Sequence, residues 1–235
     1  PIDVTRAVVP SQHFRHRLVH GPVAITPPHA ELMKAVRLID EGKKVTLFCG
    51  VGCREARAEV LTLARRLQAP IVHTLKAKDI FDYDDPSVVG MTGVIGNPAG
   101  YHAVRDCDVL VMLGTNFPYG GFIPDGIQII QVDLRIENLG RRAPITLGLV
   151  GTARETVAAL AEMVAPKASD HFVKALGRTR DQWLREMEGQ GSPSRTDEPL
   201  HPRVFARQST TGQRRMPSSG STWVNVPSGS RGRSG

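Results

Sequence analysis

The stretch LFCGVGCREARAEV, Leu47 to Val60, passes from an apolar run through two glycines into a charged, alanine-containing segment. That passage predicts a buried strand, a tight turn and a helix N-terminus. Free N–H groups and the helix dipole at such a turn hold phosphate. The chain repeats the apolar theme in KVTLFCG (Lys44–Gly50), PIVHTL (Pro70–Leu75), DVLVMLG (Asp108–Gly114), IQIIQVD (Ile127–Asp133) and ITLGLVG (Ile145–Gly151). These five short runs, nearly continuous in Val, Ile and Leu, are mostly separated by helical patterns or long loops. They predict parallel strands buried on both faces.

The helical patterns fit between them. Leu32, Ala35, Val36 and Ile39 share one face after Thr26-Pro27-Pro28, and Gly42 ends that helix. Arg54 to Leu67 turns Val60, Leu61, Ala64 and Leu67 inward, a short helix ends at Asp106, and two more cover Ala153–Val164 and Ser169–Met187. The segment between Leu75 and Asn97 reads as a loop. The fold class is therefore α/β, a doubly wound, Rossmann-like parallel sheet over roughly Glu31 to Val164. Ligands of such sheets bind beyond the C-terminal strand ends, here Gly50-Val51-Gly52, Leu75-Lys76, Gly114-Thr115-Asn116 and Val132-Asp133.

The glycine turn is not a nicotinamide fingerprint. Gly50 and Gly52 are present, but Glu55 stands where the third glycine or alanine belongs, and the second strand ends in Thr74-Leu75-Lys76 without an acid. Two glycines alone are equally compatible with a tight turn that holds nothing. Cys49, Cys53 and Cys107 make an odd set with no second pair to complete a zinc site, and read as packing residues. His13, His16 and His20 read as a solvated basic segment, and Lys76 and Lys78 as loop lysines that meet water. Neither a nucleophile elbow nor a P-loop occurs. No catalytic residue and no metal ligand is assigned.

Composition bounds the rest. With 235 residues, 40% hydrophobic and 23% charged, the chain has material for one sizeable domain and flanks. No apolar run is long enough to cross a bilayer, and Pro1–Gly21 has no signal-peptide core. A reducing cytoplasm is the expected compartment. The net charge is +7, yet Pro199–Gly235 holds six arginines and neither lysine nor acid. The rest is nearly neutral, so a nucleic-acid groove is not expected. Residues 209–235, rich in Ser, Gly and Arg, read as a disordered basic tail.

One segment is more particular than any α/β pattern: APIVHTLKAKDIFDYDDPSVVGMTGVIGNPAG, Ala69–Gly100. With CGVGC before it and LGTNFPY and IIQVD after it, the chain resembles the central domain of thiamine-diphosphate-dependent pyruvate oxidases, including the quinone-linked pyruvate dehydrogenases. The resemblance covers about Pro22–Pro166. It implies a central FAD-binding domain over residues 22–188, preceded over 1–21 by a linker from a pyrimidine-binding domain that this chain lacks. A linker and the start of a pyrophosphate-binding domain would follow over 189–208, so that the chain looks like a truncated fragment. In that family FAD lies extended on the domain. By motif, Gly50 and Gly52 would let backbone approach it, Thr92, Gly93, Val94 and Ile95 would lie along it, and Thr115, Asn116, Phe117, Pro118 and Tyr119 would form a second contact loop. Asp133 would stand at the adenosine end.

The resemblance assigns thiamine diphosphate and Mg²⁺ only to the intact enzyme, which turns pyruvate into acetate and CO₂ and reduces a quinone at the inner membrane. This chain has no G-D-G motif, and is expected not to be catalytic by itself. FAD is the expected ligand, with a homo-oligomer or association with full-length relatives as the partner class. An acetolactate-synthase-type domain and a non-enzymatic remnant serving as an interaction or structural domain are the alternatives. The family writes an acid before and after the last strand where this chain has Thr146 and Thr152, which weakens the expected adenosine end. Gly52→Val is expected to weaken flavin binding and leave the fold intact, and Thr152→Asp to restore affinity if it has been lost.

Overall fold

The computed structural model describes residues 23–192 and 202–204. The linker expected over 1–21, most of the segment expected over 189–208 and the whole basic tail over 209–235 lie outside the described residues. Two compact units divide between Asp181 and Gln182. The second, among the described residues, holds the last turns of one helix and a helical turn at residues 202–204.

The first unit is a six-stranded sheet with helices on both faces. In chain order it contains α1 (His29–Glu41), β1 (Val45–Cys49), a 3₁₀ turn (Val51–Ala56), α2 (Arg57–Leu67), β2 (Ile71–His73), β3 (Val88–Met91), α3 (Pro98–Arg105), β4 (Val109–Leu113), β5 (Gln128–Asp133), β6 (Leu147–Val150) and α4 (Ala153–Met163). The start of α5 (His171–Gln190) closes it. All strands run parallel in the order β3-β2-β1-β4-β5-β6. This is the dinucleotide-fold order, and it reverses direction between β1 and β4, where ligands of such sheets lie.

Strand alternation explains why both faces are apolar. Val45, Leu47, Cys49, Val109, Val111, Leu113, Ile130, Val132 and Leu149 face the layer of α1, α2 and α4. Phe48, Val72, Val89, Leu110, Met112 and Ile129 face Ala99, Ala103 and Val104 of α3 and Leu176 of α5. Each such large side chain contributes about 1.5–3 kcal/mol when fully buried. The buried Thr46 is reconciled with this core by donating its hydroxyl hydrogen to the Ala103 carbonyl at 2.7 Å.

Two sequence expectations need correction. The loop expected from Leu75 to Asn97 contains a sixth strand, β3, pairing with β2 through a register shift at Ile71/Val72. It is four residues long and carries Gly90 at φ +124°, so no periodicity marks it. The helix expected from Arg54 begins instead as the 3₁₀ turn, and α2 proper starts at Arg57. At the sheet edge, β3 has its Val89 and Met91 carbonyls bonded by the Asn97 side chain and backbone at 3.0 and 2.9 Å. Its Val88 carbonyl accepts from Arg180 Nη1 at 2.8 Å. Among the described residues, no helix is long and apolar enough to cross a membrane.

Candidate functional site

The glycine turn is a clasp between β1 and β4. Gly50 N–H donates to Leu113 O at 2.8 Å, Gly52 N–H to Gly114 O at 3.1 Å, and Cys53 N–H back to Gly50 O at 3.1 Å. Neither glycine has a positive φ. What demands glycine is proximity: a Cβ on Gly50 would lie 2.2 Å from Gly114 O and 2.6 Å from Thr115 Cα, and one on Gly52 would lie 2.8 Å from Gly114 Cα. Gly114 itself has φ +53° and would strike Gly52 Cα at 2.7 Å. The amides expected to meet a phosphate are thus already bonded to protein, and a 3₁₀ turn separates them from the α-helical N-terminus. For the same reason Gly52→Val cannot leave the fold untouched, contrary to the sequence expectation.

A cavity of about 520 Å³ opens beside this clasp, at the C-terminal ends of the strands. Thr92, Gly93, Val94 and Ile95 form one wall, and Thr115, Asn116, Phe117, Pro118 and Tyr119 form the other. All nine residues singled out in these two segments therefore meet in one place. Val51 and Leu75 extend the lining, and Lys76 is its cation. Phe117 is buried, in edge-to-face contact with Phe48 at 5.0 Å and Tyr119 at 5.3 Å. Val94, Ile95, Leu75 and Tyr119 remain 72, 62, 60 and 48% exposed, an apolar rim suited to a flat ring. Thr92 is 5% exposed and its hydroxyl has no hydrogen-bond partner in the protein. A buried unpaired hydroxyl costs about 1–3 kcal/mol.

A second cavity of about 430 Å³ shares Val51, Gly114 and Asn116 with the first and continues past β5 and β6. Gly52 and Asp133 line it, while Gly50 lines neither and lies under the clasp. Asp133 Oδ1 accepts from Arg135 N–H at 2.9 Å and from Asn138 Nδ2 at 3.1 Å, which folds the loop after β5 around it. Gln131 secures the same loop, donating to Asn138 O and accepting from Gly140 N–H. Arg135 and Arg141 bring positive charge to this cavity. The loop arginines carry no periodic signal, and sequence reasoning missed them.

Thr146 and Thr152, where the resemblance leads to the expectation of acids, are both engaged. Thr146 Oγ1 accepts from Ile129 N–H at 3.1 Å, lengthening the β5–β6 pairing. Thr152 lines the second cavity, but its hydroxyl accepts from Ile25 N–H at 3.1 Å and its N–H donates to Ile25 O at 2.9 Å. The hydroxyl also bonds the Glu155 carboxylate and holds it below the usual carboxylate range. An aspartate at position 152 would face Glu155, so Thr152→Asp does not simply restore a free acid.

Beneath the first cavity, at the end of β2, His73 is fully buried. Its Nδ1 lies 3.1 Å from Thr74 O and so carries the hydrogen, while Nε2 has no partner and the ring sits 6.3 Å from that of Tyr83. Burial lowers its pKa, a direction the Thr74 carbonyl opposes and Lys78 reinforces. A histidine held neutral in the fold stabilises it above the unfolded value of about 6.5, and that stability is lost as pH falls through this value toward the lower folded one. The melting temperature is expected to drop between pH 7 and pH 5 in the wild type and to drop less in His73→Gln. Equal slopes would exclude His73 as the source. Burial also pushes up the Cys49 thiol and raises Cys107 to about 12, keeping both protonated and unreactive.

Comparison with known proteins agrees with this fold. Residues 32–160 match the family model described as thiamine pyrophosphate enzyme, central domain. An uncharacterized 42.6 kDa protein from the isoamylase 3′ region of Pseudomonas amyloderamosa is 39% identical over 210 residues, covering 89% of this chain and 53% of that protein. The acetolactate synthase large subunit of Corynebacterium glutamicum is 31% identical over 174 residues, covering 70% of this chain and 27% of that one. An X-ray structure from Mycobacterium smegmatis, described as a thiamin diphosphate-dependent enzyme, superimposes with a TM-score of 0.54 at 20% identity, over 66% of this chain and 31% of its own. The chain thus spans about half of one curated relative and about a quarter of the other.

Proposed function

The chain belongs to the thiamine pyrophosphate enzyme family through its central domain at residues 32–160, and from that premise we propose that it is the FAD-binding central domain of a pyruvate:quinone oxidoreductase. The observation that carries the FAD reading is the pair of joined cavities at the switch point between β1 and β4. The first has an apolar, aromatic wall that suits a tricyclic ring, with Lys76 as its cation. The second offers Asp133 for ribose hydroxyls and Arg135 and Arg141 for phosphate. Val51, Gly114 and Asn116 belong to both, so one extended dinucleotide spans them.

FAD bound here would supply two-electron acceptance. The chain's own residues bind and orient it. Phe117 and Tyr119 offer aromatic surface, and Val94 and Ile95 exclude water from the ring once it covers them. The glycine clasp keeps β1 and β4 close and leaves phosphate to the arginines of the second cavity. Support for pyruvate as the substrate of the whole enzyme rests on MTGVIG and FPYGG, Met91–Gly96 and Phe117–Gly121. The acetolactate synthase relative keeps an acetolactate-synthase-type domain as the second reading.

Binding to the purified chain tests the proposal. Quenching of flavin fluorescence is expected to saturate with FAD, with NAD⁺ competing at least tenfold more weakly, since no acid ends β2. A folded chain that quenches no flavin, or that prefers NAD⁺, overturns the FAD reading.

A further inference from the structure

Asn97 joins three elements through one residue. Its N–H donates to Met91 O at 2.9 Å and closes the neck of the loop that carries Thr92–Ile95. Its Oδ1 accepts from Gly100 N–H at 2.7 Å and caps α3, and its Nδ2 donates to Val89 O on β3 at 3.0 Å. The residue is 3% exposed. The backbone around it has been shaped to admit it. Gly90 has φ +124°, and a Cβ there would lie 2.0 Å from Asn97 Nδ2. Cβ atoms on Gly96 and Gly100 would lie 2.6 and 2.2 Å from Met91 O. Inside the loop, Gly96 N–H donates to Gly93 O at 3.0 Å, and Gly93 at φ +103° approaches the Phe117 ring. Strand, loop and helix therefore have one geometry relative to each other, set where Asn97 meets all three.

We propose that Asn97 is the positioning residue of this site: it holds Thr92–Ile95 in the ligand-facing conformation without touching the ligand. Asn97 lines neither cavity, whereas the loop it closes supplies one wall of the first. The ligand side of this inference rests on the FAD reading above; the loop side does not. A cap alone would not need asparagine, because serine and aspartate cap helices as well. Nδ2 is the part they lack. It ties the loop's exit to β3, the strand from which the loop departs.

Asn97→Ser and Asn97→Asp keep a capping oxygen and remove the donor to Val89, so α3 is retained and the tie is lost. Hydrogen exchange of the ligand-free chain is read first. The amides of residues 96 and 97, whose bonds to Gly93 O and Met91 O close the loop, are expected to exchange tenfold or more faster in both variants, with those of β1 and β4 unchanged. Leu160→Ala, a core truncation on α4, is the control: it lowers the melting temperature without selective acceleration at residues 96 and 97. FAD titration is read second, and both Asn97 variants are expected to bind at least tenfold more weakly than Leu160→Ala. Exchange at residues 96 and 97 that matches the wild type overturns the proposal, and so does failure of both variants to fold, because Asn97 would then be a determinant of the fold. Accelerated exchange with FAD affinity unchanged also overturns it. If the wild type binds no FAD, the FAD reading falls, and the exchange measurement alone decides whether Asn97 fixes the loop.

Discussion

Gly50→Val is expected to lower the stability of the chain by about 3 kcal/mol or more, the upper range for forcing bulk into a closed contact. The first added atom would sit 2.2 Å from Gly114 O and 2.6 Å from Thr115 Cα, both backbone, with no flexible side chain to yield. Relief requires β1 and β4 to part at their C-terminal ends, which breaks the Gly50–Leu113 and Gly52–Gly114 hydrogen bonds. Gly52→Val strikes Gly114 Cα at a less severe 2.8 Å and is expected to lose about 1–3 kcal/mol. In a domain of this size a loss of about 3 kcal/mol lowers the melting temperature by roughly 6–12 °C. Thermal unfolding followed by circular dichroism checks both. A Gly50→Val protein that melts with the wild type contradicts the clasp. Because Val51 and Gly114 of the clasp line both cavities, both variants should weaken FAD as well as the fold.

Phe117→Ala is the second large effect. The ring is 4% exposed and meets Phe48, Tyr119 and Phe122 at centroid distances of 5.0, 5.3 and 6.4 Å, all edge to face. Truncating a buried aromatic costs about 3–5 kcal/mol, through lost transfer energy and the cavity left behind. Phe117 borders a cavity already, so partial solvation places the expected loss near 3 kcal/mol. The wall that supports Tyr119 disappears with it, and FAD affinity is expected to fall tenfold or more. Urea unfolding measures the first quantity and flavin titration the second. Phe117→Leu, which keeps apolar volume, should recover most of the stability and little of the affinity. Full recovery of both would show that the ring's shape is irrelevant to the site.

Much of this architecture is legible in the residues, because the physics behind it is local. Runs such as VLVML and QIIQV at Val109–Leu113 and Gln128–Val132 have no polar face, so only a two-sided sheet can bury them. The two loops lining the first cavity follow from strand ends and from wording particular to one family. β3 escaped detection because Gly90 interrupts a run of four residues. The meaning of Gly50 and Gly52 escaped for another reason. Their partners, Gly114 and Thr115, are distant in sequence, and nothing near Gly50 says whether its amide faces a ligand or another strand. Asn97-Pro98 does carry a local mark, an N-cap followed by proline at the first helical position. Its Nδ2 bond to Val89 leaves none.

The dressing of β3 also governs how copies of this chain meet one another. An edge strand is ordinarily a template on which a neighbour's backbone crystallises into a longer sheet, the first step toward fibrils and precipitates. Here the Val88, Val89 and Met91 carbonyls are already occupied by Arg180 and Asn97, so a foreign strand arriving at that border finds its acceptors taken. Stripping that protection should therefore show itself in the test tube as turbidity and thioflavin binding on storage, well below the temperature at which the domain melts.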